Sequence, residues 1–310
     1  YDITIDAKYS TICGYTQNDL EREFYEYLTP EVDKEEVKRW YNGYSWLGES
    51  VYNPFDILLF FGKGNIFKNY WFETGNPTFL IDMIKEKKYY LPDFEDISVD
   101  ESILNNFDVD RMSIEALFWQ TGYLTIKEVI YSNNLPVYVL KYPNNEVKFS
   151  LGSLYINELT EDYLKKSKRI SDLYNSLISA DINNLEKIFI SLFASIPYNN
   201  FTQNKIHQYE GYYASVVYAY LLNSGFDLIP EDVTNKGRID LTLITTNKIV
   251  YIIEFKVVDK KSRINSALKQ IKQKKYFEKY LSNYKDIYLI GIEFNQTDKN
   301  VSNVKWEKYK

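Results

Sequence analysis

Three side chains near the C-terminus could carry out a reaction together. In "GRIDLTLITTNKIVYIIEFK", residues 237–256, Asp240 opens one greasy strand, and Glu254 and Lys256 close the next. A polar turn centred near Asn247 sets Asp240 opposite Glu254, to within one residue of register. Opposed residues have β-carbons about 4.5–5.5 Å apart, and like charges there repel. A hydrophobic sheet keeps such a pair only if a shared proton or a divalent cation relieves the repulsion. Glu254 and Lys256 are two apart, so they share a sheet face. Two hard oxygen donors beside an ammonium group suit Mg²⁺ or Mn²⁺. Such a patch can orient a water, lower its pKa and stabilise a pentacovalent phosphate, which is the chemistry of phosphodiester hydrolysis.

A solitary E-x-K at a strand end is usually a surface ion pair. An Asp placed across a hairpin from the Glu separates this case from that one. Glu210 lies on the preceding helix, whose neighbours "YYASVVYAYLL" are apolar, so it is expected to face the sheet end. The following helix, "KKSRINSALKQIKQKKYFEKYL", carries an apolar stripe of Ala267, Leu268, Ile271 and Phe277, and Gln270 stands beside it, able to point at the carboxylates. That helix also carries Lys260, Lys261, Arg263, Lys269, Lys272, Lys274, Lys275 and Lys279. A basic face of this kind can steer a polyanion, although most such lysines on any helix are simply solvated.

Composition removes other chemistries. There is one histidine, His207, and one cysteine, Cys13. A Cys/His zinc site is therefore not available, and a Ser-His-Asp mechanism would have to use His207. His207 lies one helical turn before Glu210 and reads as a surface residue. A single cysteine permits no internal disulfide and fits a reducing, cytoplasmic setting. No run of about 18 apolar residues could span a membrane. The N-terminus "YDITIDAKYS" has no signal-peptide pattern and no initiator Met, so a fragment or processed product is expected. The net charge of −6 hides an asymmetry: residues 201–310 hold 18 Lys and Arg against 12 Asp and Glu, which leaves 19 against 31 in residues 1–200.

The elements that must position these groups can be read from periodicity. Helices are expected over 17–45, from Asn53-Pro54 through "PFDILLFFG", over 70–91, over 150–166 and over 170–195. Asn42-Gly43 reads as a tight turn, and 93–110 as an acidic, solvated connection. "SIEALFWQTGYLTIKEVIYSNNLPVYVLKYPNNEV" reads as a helix and a hairpin turning near Asn133-Asn134, a winged-helix-like pattern. From about residue 199 the order becomes a helix ended by Gly225, a short strand near 226–229, the hairpin, a basic helix over 262–281, the strand "DIYLIGIEF" and a tail. The fold class expected is α+β: a mostly helical region over 1–198, then a compact mixed domain over 199–310.

Glu210, "GRID", "IIEFK" and "ALKQIKQKKY" together resemble the PD-(D/E)XK nuclease superfamily, with four core elements in order. The resemblance is to the bacterial proteins in which such a domain follows an AAA-ATPase-like region. "CGYTQNDLEREF", "VKRWYNGYSW", "VYNPFDILLFF", "YWFETGNPTFL", "LFWQTGYLTI" and "LKYPNNEV" are similar, in order, to the later part of that region. No G-x-x-x-x-G-K-[ST] occurs, so the chain looks as if it begins after the P-loop part, inside lid-like helices, and ATP binding is not expected. The resemblance implies a restriction-endonuclease-like C-terminal domain cutting nucleic acid, DNA above RNA. It implies Asp240, Glu254 and Glu210 at a Mg²⁺ or Mn²⁺ ion and Lys256 at the water or transition state. It further implies Gln270 as a buttress or phosphate contact and Arg238 at a phosphate or in a salt bridge to an acid, with Lys269 and Lys272 also expected at nucleic acid. The competing reading is a catalytically silent module that binds nucleic acid or a protein, such as an effector or toxin, with the acidic region 1–200 facing a basic protein partner.

Overall fold

The computed structural model describes residues 3–74, 78–87, 89–105, 112–160, 166–197, 209–258 and 266–310. They form two compact units, Tyr1–Met83 with Asp93–Leu151, and Ile84–Pro92 with Gly152–Lys310. The expected boundary at 198/199 falls inside the second unit, because the helices over 152–197 belong with the C-terminal sheet.

The first unit begins with α1 (Gln17–Glu23), α2 (Lys34–Tyr41), the short strands β1 (Asn42–Tyr44) and β2 (Val51–Tyr52), and α3 (Pro54–Gly62). Thr16 and Asp19 close a capping box on α1, Asp33 caps α2, and Asn53 caps α3 ahead of Pro54. Leu20, Val37, Tyr41, Tyr52, Ile57 and Phe60 bury the apolar faces of these elements together. Asn42-Gly43 is not a tight turn; it is part of β1. Gly43, at φ +124°, passes so close to Pro143 that a Cβ would lie 1.8 Å from its carbonyl oxygen.

α4 (Thr78–Lys87), β3 (Ile97–Asp100), α5 (Glu101–Leu104), α6 (Ile114–Gln120), β4 (Thr125–Ser132) and β5 (Leu135–Lys141) follow. The expected hairpin is present, and Asn133 and Asn134 both adopt positive φ at its turn. The acidic stretch is not merely a solvated connection, because β3 joins the hairpin in the order β3-β5-β4. Asp56 of α3 is fully buried, as is Glu146 near the start of α7 (Asn145–Thr160). Glu146 Oε1 accepts from the amides of Tyr70 (2.6 Å) and Trp71 (3.0 Å). Both Asp56 oxygens and Glu146 Oε2 have no donor among the described residues.

The second unit holds α8 (Lys166–Ser179), α9 (Ile182–Ala194), α10 (Glu210–Leu222), β6 (Asp227–Thr234), β7 (Gly237–Ile244), β8 (Ile249–Val258), α11 (Ser266–Lys274), β9 (Asp286–Asn295) and β10 (Asn300–Lys308). The helix expected over 170–195 is two helices, broken where Ala180 takes φ +54° and Asp181 caps α9. The five strands lie in the order β10-β9-β8-β7-β6, with only β8 and β9 parallel. The expected tail is largely β10, an antiparallel edge strand. From Tyr212 to Leu222, α10 is buried on every side. Tyr213 stacks on Phe294 of β9 at 4.5 Å and meets Phe193 of α9 at 5.5 Å. The opposite sheet face, with Val250, Ile252, Ile287 and Leu289, packs against Ile271 and Tyr276. The basic helix is shorter than expected: α11 ends at Lys274, Lys275 turns to φ +51°, and Tyr276–Tyr280 form a 3-10 turn.

Candidate active site

The hairpin register is the one the turn dictates. β7 and β8 pair from Ile244↔Val250 to Leu241↔Ile253. Asp240 and Glu254 are the next residues beyond that ladder, and their carboxyl groups come within hydrogen-bond reach of each other. Glu254 is fully buried, whereas Asp240 is partly open to solvent. Asp240 Oδ2 accepts from the Phe255 amide at 2.8 Å. Glu254 Oε2 accepts from Gln270 Nε2 at 2.6 Å, while its Oε1 is buried without a donor among the described residues.

Burial drives both acids toward the neutral form. Glu254 is raised by burial first and by the Asp240 charge second, with the Lys256 ammonium opposing. Asp240 is also raised by burial, while the Phe255 amide and Lys256 pull it back. A proton shared between the two carboxyls, or a cation, would relieve the repulsion.

Glu210 is the first residue of α10, and it reaches the same strand end. Its Oε2 accepts from the Val257 amide at 3.1 Å, and its Oε1 lies 3.6 Å from Lys256 Nζ. The structure therefore brings together Glu210, Asp240, Glu254, Lys256 and Gln270. Within that group Glu210 engages Lys256 and the backbone. No three His, Cys, Asp or Glu side chains among the described residues are grouped closely enough to hold a metal ion. Asp240 and Glu254 alone supply a hard, two-carboxylate set whose unsatisfied buried oxygen fits a small divalent cation.

Helix α11 reaches Glu254 because of a glycine. Glu254 pairs with Gly291 of β9, and a Cβ on Gly291 would lie 2.4 Å from the Leu268 amide nitrogen. Any side chain there would lift the helix, and Gln270 with it, off the sheet.

The basic residues are less available than the sequence suggests. Arg238 pairs with Glu231 at 3.0 Å, and Lys272 with Glu307 at 2.7 Å. Lys279 is engaged by Asp232, which also accepts from Tyr280 and Thr242. Lys269 is exposed and makes no ion pair among the described residues. His207, Lys260, Lys261 and Arg263 lie outside the described residues.

Sequence reading missed two residues here. Glu293, buried on β9, pairs with Lys256 across the parallel ladder. It accepts from the Ser266 amide (2.6 Å) and hydroxyl (2.9 Å) and from Asn303 Nδ2 (3.0 Å), which ties the start of α11 to the sheet. "GIEF" has the form of "IIEF", so the rule that picked out Glu254 could have found it. Tyr276, 3 % exposed, stands against the same group. Burial raises its phenol, the Glu254 charge raises it further, and a hydrogen bond with Gln270 opposes. A tyrosine after a basic helix carries no such signal in sequence.

No solved structure matches the chain. A protein of Azotobacter chroococcum mcd 1, described as "Uncharacterized protein in vnfD 5'region", is 42% identical over 300 residues. That similarity spans 97% of this chain and 57% of that protein, so the chain covers a little over half of its relative's length. Residues 208–304, the segment that holds all five assembled side chains, match the family model of the PD-(D/E)XK nuclease superfamily.

Proposed function

We propose that residues 199–310 hydrolyse phosphodiester bonds in nucleic acid, DNA above RNA, at the Asp240–Glu254 pair. The observation that carries this reading is two carboxyls held face to face at a strand end beside an ammonium, inside a segment that matches a nuclease family. Asp240 and Glu254 would hold Mg²⁺ or Mn²⁺, with Glu210 assisting directly or through a water. Such a cation, when bound, supplies charge neutralisation and a more acidic water. Lys256 orients the attacking water or meets the charge that develops on the phosphate. Glu210 holds that ammonium near the strand end. Gln270 fixes the Glu254 carboxyl. Arg238, Lys269 and Lys272 contact phosphates, and two of them must first leave a surface ion pair, which costs about 0–1 kcal/mol. The test is digestion of supercoiled and linear single-stranded DNA with Mg²⁺, Mn²⁺ or EDTA, using the wild type and Asp240→Ala. Metal-dependent cutting that the variant loses supports the site. Equal cutting by a folded variant removes it.

For residues 1–198 we propose a lid-like, winged-helix-bearing region similar to the later part of an AAA-ATPase-like domain, serving as a platform or a partner surface. A silent binding module is the second reading of the C-terminal domain. It is favoured by one observation, that Glu210 engages Lys256 instead of joining the two acids as a third ligand. No helix among the described residues is long and apolar enough to cross a membrane.

A further inference from the structure

The first unit contains a cleft of about 590 Å³ that the nuclease reading does not use. Its size is that of a small-molecule site, roughly 300–1,000 Å³. Tyr44 with Trp46, Val51–Pro54, Trp71, Leu104 with Asn105, and Trp119–Gly122 build it, together with Thr4 and Cys13. Among these are aromatic-rich segments singled out in the sequence, and the fold brings them to one place. Three of the chain's five tryptophans line it. Trp71 is braced from behind by Tyr123, with ring centroids 4.7 Å apart. Gly122, at φ +80°, runs bare of any side chain past Trp71 and Tyr44; a Cβ there would sit 3.5 Å and 3.6 Å from the two rings.

The polar lining is uncharged. Asn105 and Gln120 carry amides, whose donors and acceptor lie side by side, while the Asn53 oxygen is taken by the Phe55 amide at the cap of α3. No Asp, Glu, Lys or Arg lines it among the described residues. Tyr44 is 8 % exposed, and its hydroxyl has no partner at hydrogen-bond geometry, although the Asn53 amide stands beside it. Behind Tyr44 lie the buried acids Asp56 and Glu146, whose charges, after burial itself, raise its phenol. The described lining residues offer no cation to offset the charge of an anionic ligand group.

Aromatic faces, paired amide donors and acceptors, and the lack of a counter-charge together select a flat, neutral, nitrogen-bearing ring. We infer that this cleft binds a nucleobase, stacked on its tryptophans and read at its edge by the amides of Asn105 and Gln120. Bases stack on aromatic side chains, and Asn and Gln match the adjacent donor and acceptor of a base edge. The base can belong to a free nucleoside or to an unpaired nucleotide whose phosphates stay outside. The inference stands whether or not the C-terminal domain cuts.

The test is calorimetric titration of the full chain, in EDTA, with adenosine, guanosine, cytidine and thymidine, with a short single-stranded oligonucleotide, and with cellobiose. Saturable binding of at least one nucleoside with Kd below about 1 mM is expected. The double variant Asn105→Ala/Gln120→Ala changes two exposed side chains, so it keeps its circular dichroism and Tm, and it weakens binding at least about tenfold, the equivalent of 1.4 kcal/mol. Competition between nucleoside and oligonucleotide identifies a base on a strand as the ligand. Nucleoside binding that the oligonucleotide does not displace identifies a free nucleoside. No saturable binding by folded protein, equal affinity in the double variant, or binding of cellobiose alone overturns the inference.

Discussion

Asp240 and Glu254 face each other at the end of adjacent strands, and only Glu254 is sealed from solvent. Two acids in such unlike surroundings cannot both ionise cheaply without a cation. The first two predictions, on metal and on pH, follow from this relationship.

In EDTA, Glu254→Gln should not destabilise the protein. The amide can donate to Asp240, which removes the repulsion, and a gain of about 1 kcal/mol would raise Tm by roughly 2–4 °C. Cleavage should vanish in the same variant. Thermal melts of wild type and variant with and without Mg²⁺ check this: Mg²⁺ should raise the Tm of the wild type and leave the variant nearly unmoved.

Without metal, stability should fall as pH rises above the ordinary carboxylate range. Glu254 and Glu146 both have folded-state pKa values raised by burial, and their partner acids raise them further. The folded chain therefore holds protons that the unfolded chain has already released, so unfolding releases protons and a higher pH favours it. Melts from pH 5 to 9 in EDTA should show a declining Tm. Glu146→Gln, which keeps the acceptor for Tyr70 and Trp71 and can donate to Asp56, should flatten part of that decline.

Gly291→Ala should cost stability by about 1–3 kcal/mol, the usual range for overpacking, because the added carbon meets backbone of α11. Cleavage should fall further than the stability loss explains, since Gln270 moves with the helix. Activity measured well below the variant's Tm separates the two effects.

Lys256→Ala should lower the cleavage rate about 10²–10⁴-fold, the scale of a positioned acid-base or electrostatic group, with little change in DNA affinity in the absence of metal. Lys269→Ala should leave the rate at saturating DNA unchanged and reduce the salt dependence of binding by about one phosphate contact. Filter binding and single-turnover kinetics on both variants check this.

Much of the candidate site was legible along the chain because it is local. The turn near Asn247 brings Asp240 against Glu254 to within one residue, the two-residue period puts Lys256 on the Glu254 face, and the observed ladder fixes the register. The helix start at Asn53-Pro54 and the hairpin turn at Asn133-Asn134 are likewise settled within a few residues. Errors came where one residue breaks a periodic pattern. Ala180 and Lys275 are ordinary helix formers, yet each takes positive φ where a helix ends. β3 and β10 were missed because a polar edge strand is defined by the neighbour it bonds to, not by its own apolar content.

What the sequence determined by itself is the chemistry: two acids, a lysine and a glutamine at spacings that a hairpin and the next helix can gather, with histidine and cysteine chemistry almost excluded. What tertiary structure decided is everything that depends on contacts between distant segments. Gly291 had to meet α11 for Gln270 to reach Glu254, and Glu293 and Tyr276 entered the site only through parallel pairing and helix packing. The Asp56–Glu146 pair and the tryptophan cleft likewise exist only where chain segments tens of residues apart close on one another. Alternation and capping act over a few residues, so a sequence states them directly. Burial and long-range pairing are properties of the packed chain, and no local pattern encodes which partner will arrive.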